Sequence, residues 1–180
     1  RLDLHELESP TDFRRRAFTG HDVYHTPLGH RAEVAIADAW AELTGGAAGA
    51  PLTLAVQGRT VTIPCFAEGV ARASFAELCS KPLGAADYLA LTVAAHTVLI
   101  EGIPTLSRAR NNEAKRFVTL IDTLYEAGTR LICCAEAEPE ELYTEGEGAF
   151  EFARTASRLA EMRRHDWAQA RTIRPQKAAG

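Results

Sequence analysis

The 180 residues, 46% of them hydrophobic, are enough for one domain with a real core. No apolar run approaches the roughly 18–20 residues that span a bilayer, and the N-terminus shows no apolar leader. The net charge of −4 argues against a general nucleic-acid binder. Cys65, Cys79, Cys133 and Cys134 form no C-x-x-C and match no zinc spacing, which predicts a reducing, cytoplasmic setting.

In chain order, residues 1–8 alternate apolar and polar and predict a strand, closed by the turn Ser9-Pro10-Thr11-Asp12. Arg14, Arg15 and Arg16 read as a solvated basic run. Thr26-Pro27-Leu28-Gly29 introduces a helix over 30–44, with Ile36, Trp40 and Leu43 on one stripe and Gly45-Gly46 as its stop. Residues 52–56 and 60–64 alternate around Gln57-Gly58-Arg59 and predict a hairpin. With a third strand at Val70–Phe75 they make an antiparallel meander, an insert over 45–80. A helix follows from Gly84 to about Ala95. Thr97–Ile100 is short and β-branched and predicts a buried strand. Asn111 or Asn112 is expected to cap the next helix, whose apolar face carries Phe117, Val118, Ile121, Leu124 and Tyr125 and whose left-handed stop is Gly128. Leu131–Ala135 is a second buried strand, so 97–135 reads as a parallel strand-helix-strand unit of an α/β fold. A last helix spans Glu151 to His165, and 166–180 is expected to be a flexible basic tail.

Two arginines carry the best candidate chemistry. Arg154 and Arg158 stand at i and i+4 on the last helix, where like charges repel unless an anion joins them. A phosphate gripped by both guanidinium forks would serve. So would local pairing, Glu151 with Arg154 and Glu161 with Arg158. Glu101 and Glu136 end neighbouring parallel strands, the position that faces a ligand crevice, and are weaker candidates. Asp122 lies near the apolar face of its helix and is expected to pair structurally with an arginine. His21, His25 and His30 with Asp22 could in principle bind metal, but Pro27 and Gly29 break any helix that would align them, and no metal site is expected. Cys133 or Cys134 with His96 would be a nucleophile pair, yet both cysteines read as core.

One motif is missing. The lysines are Lys81, Lys115 and Lys177, and none follows a glycine, so a G-x-x-x-x-G-K-[ST] phosphate loop is absent from these 180 residues.

The runs Asn112-Glu113-Ala114-Lys115-Arg116-Phe117-Val118-Thr119-Leu120-Ile121-Asp122 with Leu124-Tyr125, Pro82-Leu83-Gly84-Ala85-Ala86-Asp87-Tyr88, and His96-Thr97 resemble signatures of the ZapE family of ATPases. Glu151-Phe152-Ala153-Arg154-Thr155-Ala156-Ser157-Arg158-Leu159-Ala160-Glu161-Met162 resembles the family's E-F-x-R-T-x-S-R-L-x-E-M, and Asp12-Phe13-Arg14 its D-Y-R element. The resemblance covers residues 9 to about 165 and takes in relatives known as lactation elevated proteins. It implies an AAA-type P-loop ATPase whose phosphate loop and Walker B acids precede the D-Y-R element. This chain would then be the C-terminal half (1–165), lacking its N-terminal half and inactive alone. Its sheet would be left with an unpaired edge. The resemblance further implies ATP and magnesium for the complete protein, FtsZ or another division-site protein as partner, and a phosphate-sensing or subunit-boundary role for Arg154 and Arg158. Two positions depart from the family: Gly102 stands where many members carry an acid, and Arg163-Arg164 where Gln-Ser is common. The alternative is a non-enzymatic protein-interaction module.

Overall fold

A computed structural model describes residues 22–146, 148–164 and 167. The expected strand at 1–8, the D-Y-R element, His21 and the tail, apart from Trp167, lie outside them.

The elements, in order, are β1 (Tyr24–His25), α1 (His30–Thr44), β2 (Ala50–Val56), β3 (Arg59–Ala67), β4 (Val70–Ser74), α2 (Phe75–Cys79), α3 (Ala85–Ala94), β5 (Thr97–Ile103), α4 (Asn111–Ala127), β6 (Arg130–Ala135) and α5 (Ala149–Met162). The strands form one sheet in the order β1-β6-β5-β4-β3-β2. β1, β6, β5 and β4 run parallel, and β4, β3 and β2 are antiparallel. The meander is therefore continuous with the parallel strands through β4.

Alternation along the central strands builds two cores. Val98, Ile100, Leu131 and Cys133 face one side, where they join Phe75, Tyr88, Leu91, Phe117, Leu120, Phe152 and Leu159. Leu99, Ile132 and Cys134 face the other and meet Ala32, Ile36, Trp40 and Leu43 of α1. One helix thus covers one face of the central strands, and the other four helices supply the larger core. Phe117 is at the centre of the latter, with ring centroids 5.7 Å from Phe75 and 6.2 Å from Phe152.

Several boundaries differ from expectation for local reasons. β4 stops at Ser74 because Ser74 caps α2: its hydroxyl accepts from Glu77 N–H (3.1 Å) while the Glu77 carboxylate accepts from Ser74 N–H (2.9 Å). β5 continues past Ile100 because Gly102, at φ 70°, absorbs an irregularity in the pairing with β6. No asparagine side chain caps α4. A 3-10 turn at Arg108–Arg110 runs into it, and Arg110 N–H bonds Ser107 O (2.9 Å). Gly128 is the left-handed stop, at φ 71°.

Candidate functional site

α4 and α5 both enter from the end of the sheet where the parallel strands finish, and their facing sides bring the predicted arginines onto one acid. Asp122 Oδ1 accepts from Arg158 Nη1, and Asp122 Oδ2 accepts from Arg154 Nη2 (3.5 Å). Arg158 Nη2 also reaches Glu126 Oε1 (3.5 Å), and its guanidinium lies 4.8 Å from the Tyr125 ring centroid. The anion between the two arginines is thus a carboxylate of the neighbouring helix. Neither local pair, Glu151 with Arg154 or Glu161 with Arg158, is the observed partnership. Glu161 instead accepts from Tyr125 OH (2.7 Å). The expected Asp122–arginine pairing is present.

The two arginines are not equivalent. The Arg158 side chain is 21% exposed and held on three sides, whereas Arg154 is 68% exposed and makes one long contact with Asp122. Arg154 lies on the rim of a groove of about 490 Å³ between α4 and α5, together with Asn111, Lys115, Thr119, Tyr143 and Glu151. Sequence spacing gave no sign that Lys115 and Tyr143 belong beside Arg154, because the loop after β6 brings Tyr143 there.

The strand-end acids are already engaged. Glu101 takes both Nε (3.0 Å) and Nη2 (2.6 Å) of Arg72 on β4. Glu136 accepts from Thr105 N–H (3.1 Å). No group of three or more histidine, cysteine, aspartate or glutamate side chains among the described residues could hold a metal.

Arg163, one of the two family departures, has a defined place. It bonds Glu138 (2.7 Å) and lies 5.2 Å from the Tyr24 ring centroid, and Tyr24 OH donates to Ala137 O (2.7 Å). This contact ties the end of α5 to the edge strand β1 over a hollow of about 520 Å³ that also includes His25, His30 and Arg31. Burial holds the His25 imidazole below its usual pKa, opposed by Asp22.

Three of the four thiols, Cys79, Cys133 and Cys134, are buried core groups. Burial pushes Cys79 up to about 12 and also raises Cys133 and Cys134, so none is a ready thiolate. His96 is engaged elsewhere, with Nδ1 2.8 Å from Thr97 Oγ1 and Nε2 3.1 Å from Glu68 O. No nucleophile pair forms.

A nucleotide and magnesium need a phosphate cradle and free acids. No lysine here follows a glycine, and Arg72 occupies the Glu101 carboxylate. The described residues therefore do not fit that pair of ligands on their own. No described helix is long and apolar enough to cross a membrane.

The family model described as AFG1-like ATPase matches residues 1–171. The chain is 30% identical to the cell division protein ZapE of Escherichia coli K12 over 165 residues, covering 92% of this chain and 44% of that protein. It is 39% identical to lactation elevated protein 1 homolog B of Danio rerio over 121 residues, 67% of this chain and 24% of the relative. It is 29% identical to an uncharacterized protein of Schizosaccharomyces pombe, covering 93% of this chain and 43% of that one. The chain thus spans less than half the length of these relatives. No solved structure matches it. With a match across almost its whole length, in which the helices bearing Asp122, Arg154 and Arg158 are included, the chain belongs to the AFG1-like ATPase family.

Proposed function

We propose that this chain is the C-terminal part of a ZapE-type ATPase whose complete form hydrolyses ATP with magnesium, its phosphate loop lying outside these 180 residues. The supporting observation is a conjunction: an ATPase family match over 1–171 in a stretch with no Gly-Lys and with its strand-end acid held by Arg72. Phosphoryl transfer depends on positioned cations around the phosphates, and this chain has no loop to place them.

Within that reading the residues divide by role. Arg158 fixes the α4–α5 seam. Arg154, exposed on the groove rim, is the member of the pair available to reach a phosphate or a neighbouring subunit. The relative's name places ZapE in cell division. By that likeness the complete protein acts at the division site on FtsZ or another division protein, in the cytoplasm.

The test compares ATP turnover by the 180-residue chain with turnover by the product of the complete coding sequence. The expected result is none above blank for the former and magnesium-dependent turnover for the latter. Arg154→Ala in the complete protein should lower turnover at least tenfold, about 1.4 kcal/mol of transition-state stabilisation, with thermal stability retained. Turnover by the short chain, or none by the complete protein, would overturn the proposal.

A further inference from the structure

Among the described residues the sheet has a seven-residue edge at β2, Ala50–Val56, and its sequence Ala-Pro-Leu-Thr-Leu-Ala-Val carries no charge. Proteins usually blunt such an edge with lysines, strong bulges or a covering element. Here, among the described residues, Pro51 and one irregularity between Ala50 and Leu52 are what interrupts it.

The register states which backbone groups are open. The hairpin turns through Gln57 (φ 50°) and Gly58 (φ 79°), a two-residue loop of the primed kind. Val56 and Arg59 flank it as a hydrogen-bonded pair, with Leu54 opposite Val61 and Leu52 opposite Ile63 following on the same inward side. The N–H and C=O of Thr53 and Ala55 therefore point away from β3, off the edge of the sheet. Pro51, the next outward position, has no N–H and ends the row.

We infer that β2 pairs with β2 of a second copy of this chain, antiparallel, about a two-fold axis at Leu54. A two-fold there is self-consistent in three respects. Thr53 meets Ala55 of the copy and Ala55 meets Thr53, so each outward N–H finds an outward C=O. Leu54 meets Leu54, and Leu52 meets Val56, so side chains on one face of the sheet oppose side chains on the same face. The uncharged strand sets no like charges opposite each other. A foreign strand could use the same hydrogen bonds, but β2 offers no charge to select one, and its pattern about Leu54 complements itself. Such an interface is isologous and closes as a dimer. It also carries α3, which packs against β2, to the same face of the joined sheet as its copy. α3 exposes Leu89 (57%) and Val93 (84%).

Light scattering on the purified chain should give a mass that doubles with rising concentration. Across the axis, Leu54 and its copy form a non-hydrogen-bonded pair with Cα atoms about 4.5 Å apart, within the roughly 4.4–6.8 Å that a disulfide bridges. Under mild oxidation Leu54→Cys should cross-link into dimers well beyond the unsubstituted chain, and Thr53→Cys, which opposes Ala55, should not. Thr53→Asp with Ala55→Asp, both exposed positions, sets acid against acid at both outward pairs and should return the chain to a monomer with unchanged circular dichroism. A single-chain mass at all concentrations, as expected if another segment or a different partner takes the edge, would overturn the inference. So would a dimer that survives the double aspartate, or equal cross-linking at 53 and 54.

Discussion

Asp122 answers the question the two arginines raise. Like charges one helical turn apart cost a few tenths of a kcal/mol, and a carboxylate from the adjacent helix removes that cost while fixing how α4 and α5 meet. The exposures decide which arginine matters for the fold. Arg158 combines a charge-assisted bond to a partly buried acid with a stacked ring, so Arg158→Ala should destabilise the chain by about 1–3 kcal/mol. Arg154→Ala should cost about 0–1 kcal/mol, as an exposed pair does. Urea melts of the two variants measure the difference. Equal losses would contradict the assignment of one arginine to the seam and the other to the groove.

At the scale of elements, a turn shows how little a local sequence says about its surroundings. Gly69 opens β4 at φ 76°, and a Cβ there would lie 2.5 Å from His96 Cδ2 and 2.8 Å from its Nε2. His96 N–H donates to Gly69 O (2.9 Å), while the ring reaches Glu68 O. Gly58 has a similar φ of 79° but open space around it. Gly69→Ala should therefore lose more stability than Gly58→Ala. The backbone term alone is about 1–3 kcal/mol, and the His96 contact adds to it at position 69 only. Denaturant midpoints of both variants check the order. The same contrast explains what was readable. The stripe of Ile36, Trp40 and Leu43, the hairpin, and the buried runs at 97–100 and 131–135 depend on periodicity, which a sequence displays. The Arg72–Glu101 pair joins residues distant along the chain, whereas the Ser74 cap is a local Ser-x-x-Glu box that the sequence displays inside the run expected to be strand. Asp122 was legible as an arginine partner because an acid beside an apolar face needs one. Tyr143 beside Arg154 was not, since only the path of the loop after β6 brings them together.

The described residues form one sheet between two unequal layers, and its interior strand β6, next to the edge strand β1, is buried along its full length. Among the described residues the sheet has two edges: β1, tied to the end of α5 through Arg163, and β2, which no described segment pairs on its outer side. Sheets of this open kind take ligands beyond the carboxyl ends of their parallel strands, the end from which α4 and α5 leave.

Cys133 and Cys134 give that layering a readout. Adjacent residues of one strand point to opposite faces, so one sulfur lies in the four-helix core and its neighbour lies under α1 alone. Nature has placed two reporters a peptide bond apart, each blind to the other's compartment. With a thiol reagent in excess and site-resolved mass spectrometry, Cys134 should be alkylated first, at a rate set by the lifting of a single helix, and Cys133 only when the molecule comes apart. Simultaneous alkylation would mean that both layers separate as one cooperative unit.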